Sequence, residues 1–376
     1  MAKRLEKELE RGKAQFRVSG IVTVKDNTFP EKDEDGNLKE TVSEKTGFSY
    51  MRAGFFIKAN ESQSAFVSLF GGHNPSQPEK DVVYATNADT NETTKIKWNL
   101  RNNKEVLKPL ADWSFVHVQL EKDEDGKLIE KKFLSPVDAI AYLSEHLKNG
   151  MDVRVTGTIS YQEYNGEVQR TYNATRIVLN TPNNKGEIEH FAEIRQTYLL
   201  DNKSLTKDWE QEIEDKGRTT LSVWVPQYVG GTTKKVLPFA QELVVKLLKN
   251  DVDITKKFIK SRFIPNGDVV REINTIDTIV YGVEEGKGQV EITQEVQDLI
   301  DMGFMDKEEV LEADTTNGNR VDEIVFKKPE LKNVDGKMCS VMADRYSPEA
   351  LTFVDEEDEV ETVVADSDDD LDDLFS

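Results

Sequence analysis

MDVRVTGTISYQEYNGEVQRTYNATRIVL, residues 151–179, is the stretch whose reading decides the fold. Two runs rich in β-branched and aromatic residues flank Asn165-Gly166, a dipeptide that accepts the positive φ angles of a tight hairpin. The spacing therefore predicts two antiparallel strands joined by a short turn. Just upstream, SPVDAIAYLSEHLKNG (135–150) predicts a helix. Ser135 can cap it, Pro136 suits its first position, Ile140, Leu143 and Leu147 make one stripe, and Gly150 stops it. Further back, FRVSGIVTV (16–24), FSYMRAGFFIKA (48–59), AFVSLFG (65–71) and WSFVHVQL (113–120) read as strands with partial period-2 alternation.

Strands, one helix and a closing hairpin in that order predict a five-stranded OB barrel. A gapless shift of 101 residues lays 139–179 on 240–280 with eleven identities, including Asn165/Asn266, Gly166/Gly267 and Arg170/Arg271. The self-similarity predicts a second copy of the unit. The expected fold class is mainly β, with tandem OB-like five-stranded barrels, each with a helix before the closing hairpin, plus a disordered acidic tail. Expected boundaries are a charged N-terminal segment 1–13, domain one at 14–181, a linker at 182–188, domain two with a helical extension at 189–330, and a flexible tail at 331–376.

Of the 376 residues, 71 are acidic and 49 basic, a formal charge of −22 that argues against a nucleic-acid partner at face value. The imbalance is local. From Leu351 onward there are twelve acids and no base, which leaves −10 on the first 350 residues. The single cysteine, Cys339, excludes an intrachain disulfide and a cysteine-based zinc cluster. No secretory leader and no apolar run of membrane-spanning length is visible, so a cytoplasmic protein with no membrane partner is expected.

Enzyme signatures fail on spacing. GVEEGKG (282–288) has three residues between its first Gly and Gly-Lys, where a phosphate-binding loop needs four followed by Ser or Thr. His73, His117, His146 and His190 show no metal-ligand spacing, so no catalytic residue, metal or other cofactor is expected. EKDEDGNL (31–38) and EKDEDGKL (121–128) lack the closing acid of a calcium loop and read as hairpin turns.

Aromatic residues interleaved with bases carry a different chemistry. Single-stranded nucleic acid is held by cations on its phosphates and by aromatic faces under its bases. In the first domain Tyr50, Arg52, Phe56 and Lys58 share one parity of a strand, with Trp98 and Trp113 between strands and Arg154, Tyr161, Tyr164, Arg170, Tyr172 and Arg176 on the closing hairpin. In the second, residues 234–271 hold nine bases against four acids. There Lys256, Lys257, Lys260 and Arg262 are read as crowding one strand, with Trp224 upstream and Arg271 downstream.

Tandem hairpin-terminated β domains followed by an acidic tail with an apolar tip resemble single-stranded DNA-binding proteins, particularly the bacteriophage-encoded type. Bacterial members end on aspartates and a terminal Pro-Phe, whereas here the last residues are Leu374-Phe375-Ser376. The resemblance implies a non-catalytic protein that coats single-stranded DNA in replication, recombination and repair, with possible self-association. It also implies that Asp369, Asp370, Leu371, Asp372, Asp373, Leu374 and Phe375 bind replication proteins such as a polymerase, helicase or primase. The alternative reading is a phage or mobile-element protein–protein assembly module.

Overall fold

The computed structural model describes residues 5–231, 233–283, 297 and 320–352. Five strands form the first barrel: β1 Ala14–Thr23, β2 Ser49–Asn60, β3 Gln63–His73, β4 Asp152–Tyr164 and β5 Glu167–Leu179. β1 pairs antiparallel with β2 and β4, β2 with β3 and β4 with β5, while β3 and β5 lie parallel. That cycle closes the sheet on itself in the OB order.

Alternation fixes which face each side chain takes. In β2 the side chains of Met51, Ala53, Phe55 and Ile57 are buried inside the barrel, and Tyr50, Arg52, Phe56 and Lys58 lie outside. Helix α1, Pro136–His146, precedes β4; the Ser135 hydroxyl accepts from the Val137 N–H, and Val137, Ile140 and Leu143 enter the core. Gly20 sits where β1 crosses β2 so closely that a Cβ would stand 2.2 Å from the Lys58 carbonyl oxygen.

Between β3 and α1 the chain adds a ribbon of strands Val82–Thr86 and Thr93–Lys97, a turn at Asp112–Ser114, and a hairpin of strands Val116–Lys122 and Leu128–Phe133. Strand 116–122 runs parallel to β5 and so widens the barrel's sheet. The insertion is anchored at Trp98, whose ring stacks on His73 at 4.0 Å and lies 3.9 Å below the Arg101 guanidinium. Arg101 in turn forms a bidentate pair with Asp138 of α1.

The second barrel repeats the order with β6 Phe191–Leu200, β7 Arg218–Val229, β8 Lys235–Lys246, β9 Val270–Val283 and β10 Arg320–Pro329. Helix α2, Trp209–Lys216, lies in the β6–β7 connection, and α3, Val252–Arg262, precedes β9. β6 pairs with β7 and β9, β7 with β8 and β9 with β10, and β8 lies parallel to β10. Half of β1 pairs with β6 over Ala14↔Gln196 to Ser19↔Phe191, which fuses the barrels into one continuous sheet.

The repeat is real at the level of topology, but its register differs from the 101-residue shift. Residues 240–246, laid on the first helix by that shift, belong to β8, which pairs with β7 along its whole length. The buried run Leu243, Val244, Val245 mimics a helix stripe in a window this short. The helix instead starts at Asp251, whose carboxylate accepts from the Ile254 N–H, and Thr255, Ile259 and Phe263 repeat every four residues on its buried side. Lys256, Lys257, Lys260 and Arg262 therefore lie on or beside helical turns and not on a strand. Asn266-Gly267 falls in the α3–β9 loop, and the second closing pair is β9 with β10.

The expected tail also begins too early. Residues 331–340 form a hairpin turning at Asp335-Gly336, strand Met342–Tyr346 adds to β9, and Tyr346 is fully buried. The charged N-terminal segment joins it: Glu6 bridges Tyr346, and Arg345 pairs with Glu6 and Glu10 at 2.9 and 2.6 Å. The expected helical extension around 293–313 and the aspartate-rich end from 353 lie outside the described residues, apart from position 297. No described helix is long and apolar enough to cross a membrane.

Candidate functional site

The outer face of β2 and β3 gathers aromatic rings and cations. A tight turn after Asn60 sets the register, which places Phe56 opposite Phe66, Arg52 opposite Phe70 and Lys58 opposite Ser64. Phe66 and Phe70 are 44% and 40% exposed, unusual for large apolar side chains in the middle of a strand. Tyr50 and Phe70 have ring centroids 5.4 Å apart, and Phe48 stacks on Tyr50 at 6.3 Å. At the other end Phe56 meets Phe66 at 5.0 Å. Between the two groups lies Gly54, over which the Phe66 ring folds; a Cβ there would sit 2.3 Å from its Cζ.

The second barrel completes this face. Tyr281, near the end of β9, stacks on Phe56 at 5.8 Å and 28°, its N–H donates to the Ser62 carbonyl, and its own carbonyl accepts from the Ser64 hydroxyl at 2.9 Å. The Arg52 guanidinium lies 5.9 Å from the Phe70 ring centre. Neither Arg52 nor Lys58 has a carboxylate within ion-pair distance among the described residues. Both cations are thus available to an anion from solvent, beside the partly exposed rings of Phe66 and Phe70.

A family model described as YorF matches residues 25–320. The chain belongs to the YorF family. No curated protein matches it. Among solved structures it is similar to a deletion mutant of the single-stranded DNA binding protein from Thermus aquaticus. The identity is 11% over 72% of this chain and 88% of that one, with a TM-score of 0.29. All of the aromatic face, including Tyr281, falls inside the region matched by the YorF model.

The other expected site residues of this YorF member are dispersed. Tyr161 is buried, its hydroxyl donating to Gln196 at 3.0 Å, and Tyr172 is buried against Phe16. Arg170 reaches across to Asp322 of β10 at 2.7 Å and joins the barrels. Trp98 is buried under Arg101, Tyr164 is half-buried at the β4–β5 turn, and Arg154 stands on the outside of β4 near Phe191. Arg176 is an outward residue of β5 and Trp113 lies on the surface beyond that strand, 69% exposed.

In the second barrel part of the expected basic patch is paired with the protein's own acids. Lys256 pairs with Glu214 and Glu210, Lys260 with Glu210 at 2.8 Å, and Arg262 donates to the Ser340 hydroxyl. Trp224 faces outward at the place equivalent to the first barrel's aromatic face, but it packs into a small cluster with Leu199, Val270 and, from the C-terminal segment, Tyr346 and Ala350. Its cross-strand neighbours are Ala240 and, at the next outward pair, Ser222 with Glu242, which offer neither rings nor cations.

Arg271 is a structural residue. It is buried, forms a bidentate pair with Asp344 at 2.6 and 2.9 Å, and donates to the carbonyls of Ser261, Arg262 and Ile264. Arg271→Ala leaves three carbonyls and a carboxylate without their donor and is expected to cost about 3 kcal/mol of folding stability. Urea unfolding measures it; an unchanged midpoint would contradict the structural role. Among the described residues no cluster of side chains is arranged to hold a metal ion.

Sequence parity alone finds half of the face. Phe66 and Phe70 sit in AFVSLFG, which reads as one apolar run, yet Ser64 and Ser68 share their parity and mark that side as outward. Tyr281 carries no such mark, because only the packing of β9 against β3 brings it there.

Proposed function

We propose that this chain is a non-catalytic protein that binds and coats single-stranded DNA through the outer face of β2 and β3. The observation that carries the reading is the pair of exposed rings Phe66 and Phe70, flanked by half-buried Tyr50, Phe56 and Tyr281, with Arg52 and Lys58 beside them unpaired among the described residues. A core has no use for large rings at the surface, and a protein partner gains little from cations lying over ring faces. Unpaired bases use both, because every base has a π-face and every nucleotide a negative charge. The face runs along the two strands that OB barrels use for oligonucleotides. The first barrel would supply the affinity, since the equivalent face of the second is covered.

The proposed setting is bacteriophage DNA replication, recombination and repair, in the cytoplasm of the host. In that reading Asp369 to Phe375 recruit a polymerase, helicase or primase, because an acidic run closing on Leu374 and Phe375 suits an apolar pocket rimmed by bases. The same run, as a flexible polyanion, competes with DNA for the cationic face.

The test is a salt titration of oligo-dT binding, followed by gel retardation and intrinsic fluorescence. Retardation at low salt is expected, with a log–log slope that falls by roughly 1.4 in Arg52→Ala/Lys58→Ala, about 0.7 for each single-strand phosphate that the parent neutralises and the variant does not. Truncation after Thr352 is expected to tighten binding at low salt. Unchanged emission and no retardation by the full chain would refute the function.

A further inference from the structure

Resting on the reading of the β2–β3 face as the DNA platform, we infer that Trp113 is a second stacking station for the same strand. The bound strand then leaves β3 sideways, crosses β5 and ends over the 112–114 turn of the insertion.

Register places these residues on one surface. Asn173 of β5 lies beside Ser68 of β3, and both strands run in the same direction. Past an irregularity between Ala174 and Arg176, Arg176 is therefore level with Phe70 and Gly71, one strand over. Arg176 in turn pairs with His117 of strand 116–122. The His117 ring is buried and engages the Asp112 carbonyl at 2.9 Å, so the 112–114 turn is laid over the outside of that strand. Two strand steps of about 4.8 Å thus separate the Phe70 column from the turn, a gap of about 10 Å, or about three stacked bases at 3.4 Å.

The turn is held in place from three sides. Its Asp112 carboxylate binds Lys132 at 2.6 Å, its Ser114 hydroxyl accepts from the Thr86 N–H at 2.9 Å, and Ala111 donates to the Thr86 carbonyl at 2.8 Å. Trp113 projects from this pinned turn at 69% exposure, while Trp98 and Trp209 are buried and Trp224 is packed against the C-terminal segment. An indole on a pinned turn, left uncovered by the described residues, is suited to accept a base. Stacking and not charge is the attraction here, because Lys132 and Arg176 already face Asp112 and Glu130.

The full-length chain is titrated with oligo-dT of about four and about twelve nucleotides, lengths at the two ends of one barrel's usual reach. The long oligomer is expected to quench tryptophan emission and the short one to bind without doing so. Trp113→Ala is expected to lose most of the quench and to bind the long oligomer about tenfold more weakly. Its salt slope and its affinity for the short oligomer should be unchanged. Trp113→Phe should restore the affinity but not the quench. A Trp113→Ala variant with wild-type quench and affinity overturns the inference while the platform stands. If the wild type binds neither oligomer, the platform itself fails, and Phe66→Ala/Phe70→Ala will show no further change.

Discussion

Replacing Phe66 and Phe70 together by alanine is expected to weaken oligo-dT binding by about a hundredfold or more at fixed salt. Each ring that stacks on a base contributes ~1–3 kcal/mol by alanine substitution, and these two are the most exposed rings of the β2–β3 face. The fold should tolerate the change, because both side chains lie partly exposed on the outer side of β3 and the inward residues Ala65, Val67 and Leu69 are untouched. Fluorescence anisotropy of a labelled oligomer gives the affinity, and thermal unfolding of the same samples separates lost binding from lost structure. Equal affinity in the variant and the parent would mean that the face is packing surface, and the function would have to be sought elsewhere.

The first barrel is legible in the sequence because its local signals agree with its tertiary contacts. Ser135, Pro136 and Gly150 bracket α1, and Asn165-Gly166 turns between β4 and β5 with both residues at positive φ. The second barrel is not, because its signals conflict. The run ending Leu243-Val244-Val245 is apolar enough for either period, and Asn266-Gly267 imitates a hairpin turn while serving only as a loop after α3. What decides is pairing with β7 in a hairpin and with β10, a strand about eighty residues further along the chain.

The binding face divides the same way. Tyr50, Arg52, Phe56 and Lys58 share a side by parity alone, so their grouping is written in one short segment. Their isolation from acids and the arrival of Tyr281 depend on how two barrels pack. Conversely, the nine bases within residues 234–271 are a weaker patch than they look, because Glu210 and Glu214 of α2 take Lys256 and Lys260, and Asp344 takes Arg271. Composition shows where charges are dense; only structure shows which remain unspent on the protein's own carboxylates.

A second large effect is expected from Asp277, a carboxyl fully buried in the second barrel. Its Oδ2 accepts from the Thr275 hydroxyl at 2.6 Å, and its Oδ1 has no hydrogen-bond partner among the described residues. Burial pushes its pKa from 3.8 up to about 7, against the opposing hydrogen bonds of Thr275 and Tyr198. The folded chain therefore holds a proton that the unfolded chain releases, and between pH of about 4 and about 7 folding stability falls as pH rises. Below that window the neutral acid is accommodated at no electrostatic penalty; above it the full cost is present, of the order of 4 kcal/mol. Asp277→Asn keeps the shape and removes the titration, so it is expected to match the parent near pH 4 and to exceed it in stability at pH 8. Urea unfolding of both proteins from pH 5 to 8 measures the difference, in which the histidines common to both cancel. Parallel curves across that range would show that Asp277 remains ionised in the folded barrel and that a partner for its Oδ1 must exist.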